Sequence, residues 1–172
     1  MTPKQPDCYW IVPDKLLAGE YPGAGDPAQA RGNVDALLDA GARSFVDLTE
    51  KGEYGLIAYE TVVHELGAER DLDVRYRRMS IEDLGTPTVE HMRDVLQHIA
   101  AEIVDGRPVY VHCLGGIGRT GTVVGCWMVQ HGVCSTDEVL DRIADLRASC
   151  RKAMTRSPET AGQREFITRW TR

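Results

Sequence analysis

The stretch PVYVHCLGGIGRTG, which spans residues 108–121, decides how the rest of this chain is interpreted. It begins with the apolar run Val109-Tyr110-Val111, which is typical of a fully buried strand, and then breaks into closely spaced glycines. Those glycines are Gly115, Gly116, Gly118 and Gly121. Glycines let the backbone curl so that several N–H groups face one point, and a helix that follows adds the positive end of its dipole. The stretch therefore predicts a strand, a phosphate-binding loop and a helix.

Two reactive side chains lie in this loop. Cys113 follows the strand and Arg119 comes six residues later, so one turn of loop places a thiol and a guanidinium beside the same anion. A thiol attacks as a thiolate, which a helix N-terminus and a nearby arginine stabilise. The guanidinium can hold two phosphate oxygens in bidentate fashion. We therefore predict a nucleophilic cysteine, with the phosphate bound by Leu114, Gly115, Gly116, Ile117, Gly118 and Arg119.

Two neighbours of the loop have predicted supporting roles. Thr120 is placed for its hydroxyl to reach the Cys113 sulfur and stabilise it, or help it leave. The alternation of the strand points His112 away from Cys113, into the core, where it can orient the loop by hydrogen bonds. The alternatives are an ordinary helix residue for Thr120 and a buried structural thiol for Cys113.

The site also needs an acid, because a phosphoester oxygen leaves poorly unless it is protonated. Asp83, in the segment IEDLGTP, is the candidate, since it follows a predicted strand and since Gly85 and Pro87 mark a loop that is able to close. Glu82 is its only local competitor. The alternative interpretation of Asp83 is a solvated aspartate in a turn, a type that is common in loops.

These residues resemble a known family. The run HCLGGIGRTG is similar to the HCxxGxxR(S/T) signature of the cysteine-dependent protein tyrosine and dual-specificity phosphatases. The spacing of Asp83 and Pro87, thirty residues ahead of the cysteine, resembles the general-acid loop of that family, especially in the kinase-associated and cell-cycle dual-specificity phosphatases. The resemblance implies that Cys113 attacks phosphorus to give a phosphocysteine, and that Asp83 protonates the leaving oxygen and then acts as base for the hydrolysing water. It also implies that Gln163 positions this water and that no metal or other cofactor is required.

Other loop types fit parts of the same stretch. Gly116, Gly118 and Gly121 match GxGxxG after a strand and before a helix, which is the dinucleotide-binding pattern. That pattern needs an acid at the end of a second strand about twenty residues on, and Asp137 at that distance lies at a predicted helix start. A Walker loop is excluded because no GK(S/T) follows the glycines.

Strand and helix patterns alternate along the chain. We predict strands at residues 9–12, 16–19, 44–48, 73–79 and 109–112, of which the first two form an edge hairpin. We predict helices after Asp26, from Leu56 to Gly67, after Thr88, from Thr120, after Ser135 and after Ser157-Pro158. The predicted fold class is α/β: one catalytic domain over residues 1–172, with a central, mostly parallel sheet flanked by helices on both faces and the phosphate loop between a central strand and a helix.

The composition of the chain limits the classes of partner that the protein is expected to bind. Hydrophobic and charged residues make up 42% and 27% of the 172 residues, and no apolar stretch approaches the length of a membrane span. The net charge of −6 disfavours binding to nucleic acid or to an anionic membrane. Because the N-terminus lacks the apolar core of a signal peptide, we expect a cytoplasmic protein. Five cysteines without a CxxC pair indicate neither a disulfide framework nor a zinc site.

The sequence therefore predicts a phosphatase that acts on phosphorylated protein, on phosphotyrosine and, as an open extension, on phosphoserine and phosphothreonine. The phosphotyrosine-recognition loop of the large tyrosine-specific enzymes is not found in the chain, so the preference for tyrosine stays open. One alternative is a phosphoinositide or RNA 5′-phosphatase with the same chemistry, which the lack of a lysine within the loop disfavours. The other is a noncatalytic phospho-binding module. The oligomeric state is left open.

Overall fold

The sheet is built from short strands, most of which are apolar, and the computed structural model describes residues 6–171 of the chain. In that part of the chain five strands lie in the order β1-β2-β5-β3-β4. Their bounds are β1 Cys8–Val12, β2 Leu16–Gly19, β3 Ser44–Asp47, β4 Arg75–Arg78 and β5 Val109–His112. β1 runs antiparallel to β2, whereas the other neighbouring strands are parallel, so the mostly parallel sheet with an N-terminal edge hairpin is confirmed.

Helices cover both faces of this sheet. Their bounds are α1 Pro27–Asp39, α2 Glu60–Glu69, α3 Val89–Val104, α4 Gly118–Gln130, α5 Val139–Leu146 and α6 Ala161–Thr168. The apolar side chains of α1 and α2 form one core with one face of the sheet, and those of the other four helices form a second core with the opposite face. Within residues 6–171, none of the helices combines the length and the apolar character that crossing a membrane requires.

β5 is the central strand and takes part in both cores. Its residues are fully buried, and they alternate: Val109 and Val111 belong to the core of α3 and α4, whereas Tyr110 belongs to the core of α1 and α2. Because β5, β3 and β4 are parallel, the segments that follow them emerge at the same edge of the sheet. In open α/β sheets this carboxyl edge is where ligands bind.

The second helix differs from its prediction at both ends. α2 begins at Glu60 rather than Leu56, because the Tyr59 side chain is buried in the sheet's core instead of continuing a helical stripe. The helix also continues through Gly67, where a Cβ would clash with the Val74 side chain. This glycine therefore serves a close approach and does not end the helix.

The last two helices begin later than predicted. The Glu138 carboxylate accepts hydrogen bonds from the backbone N–H (3.0 Å) and the hydroxyl (2.9 Å) of Ser135, so this pair closes a turn and α5 begins only at Val139. α6 is capped by Thr160, three residues beyond Ser157, because the Thr160 hydroxyl accepts from the N–H of Gln163 at 3.2 Å.

Candidate active site

The phosphate loop, residues 113–119, leaves the sheet directly after β5. Cys113 lies at its base with 3% of its surface exposed. Gly116 has φ 69°, and a Cβ there would lie 2.6 Å from the carbonyl carbon and oxygen of Gly19. The loop is tied to the same segment by the Tyr21 N–H, which donates to the Leu114 carbonyl oxygen at 3.0 Å. A glycine is therefore required where the loop rests on the end of β2.

α4 begins inside the loop, at Gly118, two residues before the predicted start at Thr120. The Gly121 N–H donates to the Ile117 carbonyl oxygen at 3.2 Å, and the first N–H groups of the helix lie before that bond and have no helical acceptor. The Ser157 hydroxyl donates to the same carbonyl at 2.7 Å. The helix N-terminus is thus fixed beside the loop, where its dipole and its N–H groups favour a bound anion.

The Arg119 guanidinium is buried, and carboxylates hold it. Nη2 and Nη1 lie 2.6 Å and 2.7 Å from the two carboxylate oxygens of Glu53, which is a bidentate pair. Nη1 also donates to the Ile81 carbonyl oxygen at 3.1 Å. Nε is buried and has no hydrogen-bond partner among residues 6–171. An oxygen of a bound anion would satisfy this remaining donor.

Arg119 and Glu53 each stabilise the charged form of the other side chain. Burial alone would lower the pKa of Arg119, but its hydrogen bonds to Glu53 and the charges of Cys113, Glu53 and Asp83 outweigh burial, so the pKa is raised. Burial would likewise raise the pKa of Glu53, but the hydrogen bonds that it accepts from Arg119 and from the Glu50 N–H hold that pKa below its usual value. Both side chains are therefore ionised at neutral pH.

Glu53 is a site residue that the sequence did not predict. It lies in the loop after β3, where Gly52, Tyr54 and Gly55 have φ of 77°, 48° and 71°. Two glycines around an acidic residue were the available signal, because they permit the left-handed turn that presents its carboxylate. Nothing in this segment indicates that its partner is Arg119, 66 residues along the chain.

The Asp83 loop, residues 80–87, follows β4 and also reaches Arg119. Asp83 Oδ1 lies 3.0 Å from Arg119 Nη2, and the Tyr54 hydroxyl donates to Asp83 Oδ2 at 2.9 Å. That hydrogen bond and the charge of Asp83 raise the pKa of Tyr54. Glu82, the predicted competitor, is exposed. The structure thus brings Asp83, rather than Glu82, to the arginine of the phosphate loop.

Gln163 is fully buried at the start of α6, between the two loops. Its Oε1 accepts from the Thr160 N–H at 3.1 Å, and its Nε2 donates to the Gly85 carbonyl oxygen at 3.1 Å. A Cβ on Gly118 would lie 3.0 Å from the same Oε1. The side chain therefore contacts both the phosphate loop and the Asp83 loop.

His112 lies on the core side of the loop, in the position that strand alternation predicts. Its Nδ1 is 3.1 Å from the Cys113 carbonyl oxygen, and its Nε2 contacts the Tyr59 hydroxyl. Burial lowers the pKa of His112 despite the attraction of Asp47, so the ring is neutral and Nδ1 donates.

Thr120 differs from its prediction. Its hydroxyl is buried and has no hydrogen-bond partner among residues 6–171, so the expected contact with the Cys113 sulfur is not formed in this structure. All five cysteines are free thiols. In the described part of the chain, no group of three or more His, Cys, Asp or Glu side chains is arranged to hold a metal ion.

Comparison with known proteins decides the family. Residues 22–133 match the family model described as "Polymorphic toxin system, DSP-PTPase phosphatase". The chain belongs to this phosphatase family. The matched residues include both the phosphate loop and the Asp83 loop. The predicted membership among cysteine-dependent tyrosine and dual-specificity phosphatases, and the predicted class of enzyme, are confirmed.

The phosphatase is similar to curated proteins over part of their length. It is 31% identical over 127 residues to the putative tyrosine phosphatase 067L of Invertebrate iridescent virus 3, which covers 70% of this chain and 45% of the viral protein. It is 27% identical over 115 residues to the phosphatidylglycerophosphatase and protein-tyrosine phosphatase 1 of Rattus norvegicus, which covers 65% of this chain and 56% of the rat protein. The chain spans about half the length of the curated relatives it matches.

The fold of the phosphatase is shared with a solved structure. The crystal structure of Tk-PTP in the active form superposes with a TM-score of 0.74 at 23% identity, covering 95% of each chain. At this identity the likeness shows the fold alone. The predicted α/β class, with helices on both faces of a mostly parallel sheet, is confirmed.

Proposed function

We propose that this phosphatase hydrolyses phosphotyrosine in proteins through a phosphocysteine intermediate, with phosphoserine and phosphothreonine as further substrates. One observation carries the proposal: the general-acid candidate meets the phosphate loop, because Asp83 Oδ1 lies 3.0 Å from Arg119 Nη2, beside the helix N-terminus that follows Cys113. A nucleophile, an anion-binding guanidinium and an acid are the groups that transfer of a phosphoryl group to a thiol uses.

In the first step the Cys113 thiolate attacks phosphorus, the S–P bond forms, and the bond from phosphorus to the tyrosine oxygen breaks. Asp83 gives its proton to that oxygen, so a neutral phenol departs and the aspartate becomes a carboxylate. The loop N–H groups and Arg119 stabilise the charge on the phosphoryl oxygens. Because the Asp83 carboxylate contacts Arg119 before substrate binds, the incoming phosphate replaces this contact, and the freed carboxyl group takes from solvent the proton that it then gives to the leaving oxygen.

In the second step water attacks the phosphocysteine, the S–P bond breaks, and phosphate departs with the water oxygen. The Asp83 carboxylate accepts the proton of the water and returns to its starting form. We assign the Thr120 hydroxyl to the departing sulfur, since it is a buried donor without a partner among residues 6–171. Gln163 is assigned to the water, since its amide lies beside Gly118 of the loop.

An apolar rim around the site supports an aromatic substrate on a protein. It consists of Tyr54, Ile57, Leu84 and Leu114, which are 73%, 58%, 54% and 37% exposed. The loops that carry these residues are joined, because Tyr54 bonds to Asp83 and because Tyr21 bonds to the carbonyl oxygens of Ile57 (2.9 Å) and Leu114 (3.0 Å). Exposed apolar side chains around a polar site are typical of a binding surface. This rim suits a phenyl ring and the apolar neighbours of a phosphotyrosine.

An acidic cavity beside the rim disfavours substrates with several phosphates. The cavity measures about 490 Å³ and is lined by Glu50, Lys51, Gly52, Glu53, Tyr54, Glu82 and Asp83. Two of its four carboxylates, those of Glu53 and Asp83, are paired with Arg119, and the other two, those of Glu50 and Glu82, outnumber its one lysine, so its potential opposes a second or third phosphate near the scissile one. A phosphotyrosine peptide brings one phosphate and meets less of this repulsion.

The chemistry is tested by Cys113→Ser, with Cys134→Ser as the matched control. We expect wild-type enzyme and C134S to hydrolyse p-nitrophenyl phosphate without added metal, with inhibition by vanadate. C113S should lose turnover by at least about 1,000-fold, as removal of a nucleophile does. Turnover that survives in C113S would contradict the mechanism, and inactivity of the wild-type enzyme would contradict the proposed activity itself.

A lipid substrate is the second candidate, because the rat relative is named a phosphatidylglycerophosphatase as well as a tyrosine phosphatase. Phosphotyrosine peptide and phosphoinositide in neutral vesicles, compared at matched concentration, decide between the two. We expect a higher kcat/KM on the peptide. The double variant Glu50→Gln/Glu82→Gln should raise the kcat/KM on the lipid, whereas Glu65→Gln on α2 should leave it unchanged. A wild-type preference for the lipid would overturn the choice of substrate.

A further inference from the structure

The Asp83 loop is fastened to the start of α6 by two side chains. Gln163 Nε2 donates to the Gly85 carbonyl oxygen at 3.1 Å, and the Thr160 hydroxyl donates to the neighbouring Leu84 carbonyl oxygen at a longer 3.4 Å. Both acceptors lie within two residues of Asp83. Because Gln163 is fully buried, its bond is shielded from competing water and is the stronger of the two.

The loop needs such a fastening, since its own conformation is unfavourable. Leu84 has φ 61°, a left-handed conformation that costs free energy for a side chain other than glycine. Its side chain is 54% exposed and gains little from packing. Within the loop, the Gly85 N–H donates to the Glu82 carbonyl oxygen at 3.1 Å, which closes the turn. The bonds from α6 offset the unfavourable backbone and hold this turn over the phosphate loop.

Gln163 divides its amide between two tasks. Its Oε1 accepts from the Thr160 N–H at 3.1 Å, while the Thr160 hydroxyl accepts from the Gln163 N–H at 3.2 Å, which together form a capping box for α6. The Nε2 group is left for the Gly85 carbonyl. The acceptor atom therefore serves helix stability and one hydrogen of Nε2 serves the loop, which leaves the second hydrogen for the water of the second step.

We propose that Gln163, assisted by Thr160, is a positioning residue that keeps Asp83 over the phosphate loop while the leaving oxygen is protonated. The inference rests on the proposed function, in which Asp83 is the acid. The resting contact of Asp83 with Arg119 is replaced when phosphate binds, so it cannot hold the loop during the reaction. The hydrogen bond from Gln163 is made to the backbone carbonyl of Gly85 and not to the Asp83 carboxylate, so phosphate binding does not compete for it.

The variant Gln163→Glu separates the two tasks. A glutamate keeps an oxygen for the capping box, where it is a favoured residue, but it has no hydrogen to donate to the Gly85 carbonyl. The capping box should persist, but the buried carboxylate should lower the thermal midpoint. The kcat/KM on phenyl phosphate should fall about tenfold, which is the equivalent of one lost hydrogen bond. The fall on p-nitrophenyl phosphate should be smaller, because p-nitrophenol leaves with less help from an acid. Gln97→Glu, an exposed change on α3, is the charge control and should alter neither value.

Three outcomes overturn the proposal. An equal loss of kcat/KM on both esters would mean that the loop does not depend on Gln163 for protonation. An unchanged kcat/KM with a burst of p-nitrophenol would place Gln163 only in the second step, where it positions water. If Q163E is unstable, a second pair of variants replaces it: Thr160→Ser keeps the hydroxyl and its hydrogen bonds, whereas Thr160→Val loses them. Hydrogen exchange of the backbone amides at residues 83–86 is then compared between the two variants. Equal protection of these amides in both variants would refute the fastening. Wild-type inactivity on both esters would instead refute the proposed function.

Discussion

The phosphate loop and the Asp83 loop are held in place by different means. The phosphate loop is encoded mainly by its own sequence, through a buried strand before it, a glycine at φ 69° within it and a helix after it, and contacts with Tyr21 and Ser157 add to this. The Asp83 loop has an unfavourable backbone at Leu84 and is held by side chains from elsewhere, Tyr54, Arg119 and Gln163. One half of the site is therefore encoded locally and the other half is assembled by the fold.

The largest effect is expected from Arg119→Lys, which keeps the charge and removes the planar fork. A lysine cannot hold Glu53 and a phosphate at the same time, because its ammonium is a single point of contact. We expect kcat/KM on p-nitrophenyl phosphate to fall by about 1,000-fold. Arg142→Lys on α5, which is exposed, is the control. Near-normal activity in R119K would show that the loop backbone alone binds the phosphate.

Asp83→Asn tests the assembled half of the site. An asparagine fills the same space and still accepts from Tyr54, but it has no proton to give to the leaving oxygen. We expect kcat on phenyl phosphate to fall by about 100-fold, with a much smaller loss on substrates whose leaving group needs no proton. The neighbouring Glu82→Gln should change neither rate. If E82Q reproduces the loss and D83N does not, the two carboxylates have been assigned the wrong way round.

Glu53→Gln probes the bidentate pair that holds Arg119 of the phosphate loop. The change leaves the buried Arg119 with Asp83 as its carboxylate partner among the described residues, so Asp83 should be held more tightly in its resting contact. We expect the free energy of unfolding to fall by about 2 kcal/mol and kcat/KM to fall about tenfold. Urea unfolding and steady-state kinetics measure these changes. Glu50→Gln, an exposed carboxylate in the same loop, should leave stability unchanged.

The smallest expected effect is on the pH dependence of stability, and it comes from His112, which lies beneath the phosphate loop. Burial lowers the pKa of His112, so the unfolded chain binds a proton there more readily than the folded protein does. Its contribution to stability is complete above the unfolded value of about 6.5 and is lost as the pH falls below it, by up to about 1.4 kcal/mol per pH unit. His112→Asn, whose amide can still donate to the Cys113 carbonyl, should flatten the unfolding free energy between about pH 6.5 and 5.

Another histidine provides the comparison for this measurement. Burial and the charge of Arg77 also lower the pKa of His98, but this residue is only partly buried on the surface of α3. His98→Asn should therefore remove a smaller part of the acid dependence. Equal slopes in H112N and the wild-type protein would mean that the neutral ring beneath the loop does not govern stability in this range.

The phosphate loop could be predicted from the sequence more completely than the Asp83 loop, because its signals lie within one stretch of the chain. Val109-Tyr110-Val111, the glycines and Arg119 lie within one stretch, so their spacing alone indicates strand, loop and helix. Asp83 was predicted as the acid because the chemistry requires one and because Gly85 and Pro87 mark a loop. The edge hairpin and the parallel sheet followed from strand patterns in the same way.

The residues that escaped prediction depend on tertiary contacts. Glu53 gains its importance only because the fold places it 2.6 Å from Arg119, and a Glu in a glycine-rich loop looks like a solvated surface residue. The hydroxyl of Thr120 was predicted to contact the Cys113 sulfur, but in this structure it is buried without a hydrogen-bond partner among residues 6–171. The early start predicted for α2 is wrong because Tyr59 matches the helical spacing of apolar residues, but its side chain packs against His112 of β5 instead of lying on a face of the helix. Periodicity identifies which residues are buried, but not which element buries them.

The contact of Gly116 with Gly19 has a practical consequence for engineering this enzyme. The first two strands look like a peripheral edge of the sheet, yet the end of β2 is the wall against which the phosphate loop is shaped. A shortened chain that begins at Tyr21 would keep every residue of the proposed chemistry and would still lack that wall. Selections for smaller or circularly permuted forms should therefore place new termini away from residues 8–21.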